Sequence, residues 1–334
     1  MGALVISVLG SLFALAPPAA FSEEETASPR AQERARSCMI VNAPVADLRA
    51  EPEPPSLGGA HDPREETQLL YGESVRPVAR RGEWVWVEAL EQAEWTHAKR
   101  WQGYPGWISA SSLRPPRAPR AAATLVVVQP WAQTWRDRDG RFAGEWRFAL
   151  GTKLCGAPDG RQRWRIELLD GTSVWIARAA ARELAGRPRA SRRAQQQAVV
   201  RSANALVGEP YLWGGRSPSW PGHVSGLDCS GLVNLAYRSI GVDLPRDAHE
   251  QYLRATSVPR PEVADLIFLS AADEPRRIVH VMLYVGQDEV IEAPGTGQLV
   301  RRIGLAQRLG APVARLASGA VVDGHTVWFG RYLN

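Results

Sequence analysis

The run Asp228-Cys229-Ser230-Gly231 constrains this chain most, because it opens an apolar stretch with helical spacing. Apolar side chains recur at positions 232, 233, 236, 237 and 240, and Gly241 suits the end of a helix. The pattern therefore predicts a cysteine on the first turn of a helix. The free N–H groups and partial positive charge of a helix N-terminus favour a thiolate, which is the nucleophilic form. The alternative interpretation of Cys229 is a buried structural thiol.

A cysteine nucleophile requires a base, and the base requires a residue that orients it. His280 precedes a strand-like run at 281–286, which follows another at 266–269 and precedes a third at 290–293. If the hairpin register places His280 and Glu292 on one face, Glu292 can hold one imidazole nitrogen while the other faces Cys229. The remaining histidines are weaker candidates for this role. They are His61, His97, His223, His249 and His325.

Residues from about 195 to 305 resemble the NlpC family of cell-wall cysteine peptidases, which have a compact papain-like fold. The matching segments are 210–215 (PYLWGG), 228–232 (DCSGL), 244–247 (LPRD) with Gln251, 264–268 (ADLIF), and 280–286 (HVMLYVG) with 291–293 (IEA). The resemblance implies that Cys229 is the nucleophile, that His280 is the general base and that Glu292 occupies the third catalytic position. It also implies that Tyr211 lies near the catalytic centre and assists the oxyanion or substrate placement.

The chain departs from this family's pattern at two places. The third catalytic position is usually His, Asn or Gln in the family, whereas here it is Glu292. A carboxylate would orient the imidazole and favour imidazolium more strongly. The second departure is a long loop at 216–227, which contains Trp220 and His223 and is either a lid or rim of the substrate groove or an inert insertion.

Two further β-rich units are predicted before the peptidase domain. A length of 334 residues suggests about two or three domains. Short strand-like segments within 38–115 resemble a bacterial SH3-like barrel, and a vaguer set within 122–184 is interpreted as a second one. A linker at 115–120 separates them, and a helix at about 194–207 leads into a peptidase domain at 192–334. The expected fold is therefore multidomain: two small all-β SH3-like barrels followed by an α+β papain-like domain.

The N-terminal sequence and the charge bear on location and partners. Residues 3–16 are mostly apolar and uncharged, so residues 1–22 resemble a signal peptide, although a basic leader is missing. The run is too short for a stable membrane span, and we expect an exported protein in the periplasm or at the cell wall. The net charge of +5 and the arginine-rich run at 187–193 come without a nucleic-acid motif, so no nucleic-acid partner is expected. Cys38 and Cys155 either form a disulfide or, as we favour, are separately buried thiols.

The architecture also implies a substrate. The subgroup with two SH3-like barrels before an NlpC domain cleaves short murein peptides between γ-D-glutamate and a diamino acid, and its first barrel selects a free L-Ala amine. An ammonium group needs acceptors in a half-buried pocket. The candidate residues are Asp228, Ser230, Glu66 and Tyr104, with Glu65 and Glu73 as competitors of Glu66. Asp228 is alternatively a helix cap, and Arg246 with Asp247 is interpreted as a structural ion pair or turn.

The sequence thus predicts a γ-D-glutamyl-diamino acid endopeptidase that uses no metal or other cofactor. Neither His-Glu-x-x-His nor paired Cys-x-x-Cys spacing is present. The alternatives are a catalytically inactive peptidoglycan-binding module, which the unusual Glu292 favours, and an enzyme that cleaves or transfers another acyl group. The oligomeric state stays open.

Overall fold

The structure, a computed structural model, describes residues 38–55, 61–116, 123–184 and 190–333. The predicted signal peptide at 1–22 lies outside these ranges, as do residues 117–120 of the predicted linker. None of the helices formed by the described residues has the length and apolar character needed to cross a membrane.

The first β-rich unit is an antiparallel seven-stranded sheet in the order β3-β2-β6-β5-β4-β1-β7. Its strands are β1 (Met39–Val41), β2 (Val45–Arg49), β3 (Glu65–Leu70), β4 (Ser74–Arg81), β5 (Trp84–Glu94), β6 (Gln102–Ser109) and β7 (Leu113–Arg114). Alternating apolar side chains such as Leu48, Val75 and Val87 form its core. The short strand-like segments predicted within 38–115 are confirmed as strands, among them β1, β4 and β5.

The second β-rich unit consists of a five-stranded sheet, β10-β9-β14-β13-β12, and a three-stranded sheet, β11-β8-β15. Its strands are β8 (Leu125–Val127), β9 (Trp131–Trp135), β10 (Ala143–Ala149), β11 (Lys153–Leu154), β12 (Gly156–Asp159), β13 (Arg163–Glu167), β14 (Ser173–Ala177) and β15 (Ala181–Glu183). Phe148, Trp164 and Ile176 lie at the centre of its core. Both N-terminal units are β-rich as predicted, and their assignment as SH3-like barrels stays a prediction.

The C-terminal unit packs helices against a largely buried antiparallel sheet in the order β18-β24-β19-β20-β21-β22, with β23 paired to β24. Its helices are α1 (Arg192–Asn204), α2 (Cys229–Arg238), α3 (Ala248–Arg254) and α4 (Leu305–Leu309). Its strands are β16 (Arg216–Ser217), β17 (Gly226–Leu227), β18 (Thr256–Ser257), β19 (Leu266–Ala271), β20 (Glu274–Gly286), β21 (Glu289–Glu292), β22 (Arg301–Gly304), β23 (Val321–Val322) and β24 (His325–Arg331). Single 3-10 turns occur at Ala110–Ser112, Arg178–Ala180 and Val313–Arg315.

Helix α2 lies at the centre of the molecule. Every residue from Ser230 to Arg238 is buried, so this helix is covered on all sides. Its predicted start at Cys229 is confirmed, and it ends shortly before Gly241, whose φ of 81° is in the region that favours glycine. The burial explains why a polar side chain such as Arg238 occurs here only with partners. It donates to the carbonyl of Gly151 at 2.9 Å and to Glu91 at 2.6 Å.

Two boundaries and one cysteine differ from the sequence predictions. Strand β20 begins at Glu274, ahead of the predicted start near His280, because charged residues at its exposed end hide the strand pattern. Helix α1 ends at Asn204, ahead of residue 207. Cys38 is exposed, so the prediction of two separately buried thiols is wrong for it, and no disulfide joins it to the half-buried Cys155 within the described residues.

Buried and half-buried charge pairs join the three units. Arg216 of the C-terminal unit donates to Glu73 of the first β-rich unit at 2.9 Å, and neither side chain is more than 2% exposed. Arg238 pairs with the same carboxylate at 3.1 Å. Lys153 of the second β-rich unit reaches Glu91 of the first at 3.4 Å. Because an unpaired buried charge is costly, these pairs favour one arrangement of the three units, and this arrangement places the first β-rich unit beside the N-terminus of α2.

Candidate active site

Cys229 is the first residue of α2, and the preceding Asp228 is its N-cap. The Asp228 carboxylate accepts hydrogen bonds from the Gly231 N–H at 2.6 Å and from the Ser230 hydroxyl at 3.0 Å. The cap therefore fixes the backbone that carries the cysteine, and the half-buried thiol lies at the electropositive end of the helix.

His280 projects from β20, the strand against which α2 packs, and it lies between Cys229 and Glu292. Its Nε2 is 2.8 Å from a Glu292 oxygen, which leaves Nδ1 available to the thiol. Burial alone would lower the pKa of His280, but hydrogen bonds and attraction from Cys229 and Glu292 raise it to about 9. The structure thus brings together the three residues that the sequence predicted as a catalytic set.

Glu292, the last residue of β21, is fully buried, and two arginines hold it in addition to His280. Arg301 donates to its Oε1 from Nη2 at 2.7 Å and from Nε at 3.0 Å. Arg308 donates from Nε to Oε1 at 3.1 Å and to Oε2 at 3.0 Å. Burial alone would raise the pKa of this carboxyl, but the bond to His280 and the charges of His280 and the arginines hold it well below its usual range. Glu292 is therefore an ionised acceptor.

Arg301 and Arg308 were absent from the sequence predictions. Arg301 lies directly opposite Glu292 in the β21–β22 hairpin, and Arg308 lies on the short helix α4 that follows. The available signal was a carboxylate in an apolar strand, which requires a cation as partner. The hairpin register that selects Arg301 over Arg302 was not visible in the sequence.

Tyr211 lies beside the cysteine as predicted, in the segment that pairs with Leu227 just before α2. Burial, together with the negative charges of Cys229 and Asp228, raises the pKa of its phenol well above the usual value. The phenol therefore keeps its proton and can act as a hydrogen-bond donor.

Arg246 binds the N-cap residue from the side of α3. Its fully buried guanidinium donates to Asp228 at 2.7 and 3.1 Å and to the Ser230 hydroxyl at 2.9 Å. It also contacts Asp247 at 3.7 Å and the Thr67 hydroxyl of the first β-rich unit. Asp228 thus acts as the helix cap that the sequence left as an alternative, and its main ion-pair partner is Arg246.

Two carboxylates and a phenol meet where the first β-rich unit touches α3. The Tyr104 hydroxyl is 3.2 Å from a Glu66 oxygen and 3.1 Å from an Asp247 oxygen. Burial raises the pKa of Glu66, and burial with repulsion from Glu250 and Asp228 raises that of Asp247 to about 7. We call Glu66, Tyr104 and Asp247 the acidic pocket. Asp247 was not among the predicted substrate contacts.

The competitors of Glu66 point elsewhere. Glu65 is buried and paired with Arg49 at 3.0 Å, and Glu73 is paired with Arg216. His97 lies beside the acidic pocket, with its ring 5.2 Å from that of Tyr104, and it is held by Glu94 at 2.9 Å. Glu66 is therefore the glutamate of the three that shares a hydrogen bond with the predicted Tyr104.

The loop at 216–227 packs between the two β-rich units. Trp220 stacks on His223 with ring centroids 4.3 Å apart and contacts Trp131 of the second unit at 5.3 Å. Gln68 of the first unit donates to the carbonyl of Val224 at 3.0 Å. These contacts fix the loop; whether it acts as a lid or rim stays a prediction. In the parts of the chain that the structure describes, no group of three or more His, Cys, Asp and Glu side chains is arranged to hold a metal ion.

The segment that carries this site is shared with known proteins. Residues 208–311, which span Tyr211, Cys229, His280 and Glu292, match the NlpC/P60 family. Over 201 residues the chain is 32% identical to the peptidoglycan endopeptidase RipB of Mycobacterium tuberculosis, an alignment that covers 58% of this chain and 73% of RipB. The chain belongs to the NlpC/P60 family. The resemblance inferred from the motifs is thereby confirmed.

The similarity to two other known proteins extends into the N-terminal units. The chain is 27% identical over 255 residues to the γ-D-glutamyl-L-lysine dipeptidyl-peptidase of Bacillus subtilis, covering 76% of this chain and 80% of that protein. The crystal structure of an NlpC/P60 family protein from Bacillus cereus superposes with a TM-score of 0.67 at 21% identity, covering 89% of this chain and all of that one. The second comparison shows a common fold across most of the molecule.

Proposed function

We propose that this protein is a cysteine endopeptidase that hydrolyses the bond between γ-D-glutamate and a diamino acid in murein peptides with a free N-terminal L-Ala. The observation that carries the proposal is the arrangement of Cys229, His280 and Glu292, in which the imidazole is hydrogen-bonded to both neighbours at the start of a capped helix. A nucleophile, a base and an orienting acceptor in this order are what acyl transfer through a thioester requires.

Each residue has a distinct task in the proposed reaction. The Cys229 thiolate attacks the γ-D-glutamyl carbonyl, and the developing oxyanion is stabilised by the Cys229 N–H and the Tyr211 hydroxyl. The His280 imidazolium donates its proton to the leaving amine, so that a thioester and a free diamino acid result. Neutral His280 then takes a proton from water, which attacks the thioester and releases the dipeptide. Glu292 holds the imidazole in both steps.

The acidic pocket supports the choice of a substrate with a free amine. A substrate ammonium is stabilised where half-buried carboxylates can accept its hydrogen bonds, and Glu66 and Asp247 provide two such groups on either side of Tyr104. Asp228 and Ser230 contribute from the helix side, where Arg246 already holds them. The similarity to the γ-D-glutamyl-L-lysine dipeptidyl-peptidase of Bacillus subtilis supports the same bond.

The organisation of the chain is part of the proposal. Two SH3-like barrels at 38–115 and 122–184 precede a peptidase domain at 192–334, and the first barrel forms one wall of the substrate groove. The pairing of Tyr104 with Asp247 supports this placement, since it joins the first unit to α3. An exported protein of the periplasm or cell wall, acting in peptide recycling or turnover, is consistent with such a substrate.

The test of the proposal is hydrolysis by the purified chain and its cysteine variants. We expect L-Ala-γ-D-Glu-diaminopimelate to be cleaved by the wild-type protein and by Cys38→Ala, which removes an exposed thiol far along the chain from the site. We expect Cys229→Ala to be inactive. Full hydrolysis by Cys229→Ala would contradict the assignment.

The alternative of a non-hydrolytic peptidoglycan-binding module rested on the unusual Glu292. The bond from His280 to this carboxylate at 2.8 Å instead supports a working base. Release of a diamino acid distinguishes the two functions, because a binding module would retain murein fragments without releasing one.

A further inference from the structure

Glu292 is surrounded by more positive charge than is needed for a residue whose only task is to orient an imidazole. Its side chain is fully buried, while the side chains of Arg308 and Arg301 are 19% and 40% exposed. Two guanidinium groups and His280 therefore share one carboxylate.

The contacts divide the two carboxylate oxygens between different tasks. Arg301 donates twice to Oε1, and Arg308 bridges Oε1 and Oε2. His280 bonds to Oε2. Because planar guanidinium groups bind carboxylates in fixed geometry, this arrangement sets the rotation of the carboxylate and hence the direction of Oε2 toward the ring.

The charges also affect the protonation of the catalytic pair. A buried carboxylate without a counter-charge would either take up a proton itself or hold the imidazole very firmly in its protonated form. A base that never gives up its proton cannot activate water for deacylation. Two arginines offset this attraction, so that a carboxylate can stand where the family commonly has an uncharged side chain.

We propose that Arg301 and Arg308 are positioning residues that act through Glu292, fixing its Oε2 toward His280 and weakening its hold on the imidazole proton. This inference rests on the proposed function only for its effect on turnover. The effect on the reactivity of Cys229 follows from the geometry alone.

The direction of the expected change follows from the charges that face His280. Cys229 from α2 and Glu292 from β21 face the imidazole, Arg301 from β22 and Arg308 from α4 face Glu292, and the Tyr211 phenol lies beside the thiol. Loss of one arginine removes positive charge near both partners of the thiolate–imidazolium pair. Both protons then leave at higher pH, so the whole pH window in which the pair exists moves upward.

The experiment measures alkylation of Cys229 by iodoacetamide as a function of pH, with the modified peptide quantified by mass spectrometry. The rate profile has two limbs, one for loss of the thiol proton and one for loss of the imidazolium proton. For Arg308→Gln we expect both limbs to move to higher pH by about 0.5–1 pH unit. Arg302→Gln is the control, since Arg302 lies next to Arg301 on β22 but pairs with the half-buried Glu289 instead of Glu292. A profile for Arg308→Gln that coincides with those of the wild type and the control would overturn the inference.

Two further variants separate positioning from simple stability. Arg308→Lys keeps the charge and loses the Nε–H that both Glu292 oxygens share, so its limbs should return toward wild type. In a Glu292→Gln background, Arg308→Gln should no longer move the limbs upward by the same amount, because the carboxylate through which it acts is gone. An equal shift in both backgrounds would contradict action through Glu292. If Arg308→Gln does not fold, Arg301→Gln at the more exposed position provides the same test.

Turnover distinguishes this inference from the proposed function. With L-Ala-γ-D-Glu-diaminopimelate, we expect Arg308→Gln to lower kcat with little change in KM. If the wild-type protein does not cleave this peptide, the proposed function fails, while the alkylation profiles still decide whether the arginines act on the catalytic pair.

Discussion

Replacing Glu66 by Gln tests the acidic pocket most sharply, because this change removes a charge and keeps the shape of the side chain. The amide of the variant can still bond to the Tyr104 hydroxyl, which is 3.2 Å from the carboxylate in the wild type. The lost interaction is the one between a half-buried carboxylate and the ammonium of the substrate. The side chain carries no buried ion pair comparable to that of Glu65, so the fold should be unaffected.

The size of the effect follows from the kind of bond that is lost. A hydrogen bond between charged groups in a protein contributes roughly 1.5–3 kcal/mol, which corresponds to about 10- to 150-fold in kcat/KM. Asp247 and Tyr104 remain on the other side of the pocket and retain part of the attraction. We therefore expect a loss near the lower end of this range, about 10- to 30-fold.

The assay compares kcat/KM for L-Ala-γ-D-Glu-diaminopimelate and for its N-acetylated form. The loss should be confined to the free peptide, because the acetylated one has no ammonium to bind. Glu83→Gln is the control, since it removes an exposed carboxylate from the same β-rich unit. An equal loss for both peptides, or no loss for the free one, would refute the role of Glu66 in amine recognition.

Three further predictions concern the pH dependence, the oxyanion and the contact between the units. The pKa of Asp247 is raised to about 7, so its carboxyl is protonated below that pH and ionised above it. When kcat/KM for the free peptide is measured at a series of pH values, it should therefore rise as the pH passes 7, and Asp247→Asn should flatten this rise. Tyr211→Phe removes the proposed oxyanion donor and should lower kcat by about 100- to 1000-fold with a small change in KM, as measured by steady-state kinetics. Glu73→Ala leaves Arg216 without its buried carboxylate and should lower the free energy of unfolding by about 3–5 kcal/mol in urea titrations, whereas a loss below about 1 kcal/mol would contradict the importance of this pair.

The core of the active site could be predicted because it follows from local patterns. The capped helix at Cys229 and the strand segment from His280 to Gly286 are set by apolar spacing and turn residues, and Gly286, Gln287 and Asp288 make the turn with positive φ values. A short hairpin then leaves few registers, so that Glu292 reaches the ring of His280.

The partners of these residues could not be predicted, because they depend on which chain segments meet in space. Arg246 contacts Asp228 from a segment that the sequence suggested was a local ion pair with Asp247, and the actual contact to Asp247 is the longer one at 3.7 Å. Arg308 arrives from a five-residue helix with little sequence signal. The choice of Glu66 over its neighbours likewise depends on how the first β-rich unit docks on α3.

The measurement that tests the central claim most directly is product analysis by mass spectrometry after incubation of the reduced wild-type protein with L-Ala-γ-D-Glu-diaminopimelate, free or N-acetylated. The account predicts L-Ala-γ-D-Glu and diaminopimelate from the free peptide, with the acetylated peptide left largely intact. Absence of cleavage of either peptide, with the Cys229 thiol shown to be reduced, would contradict it.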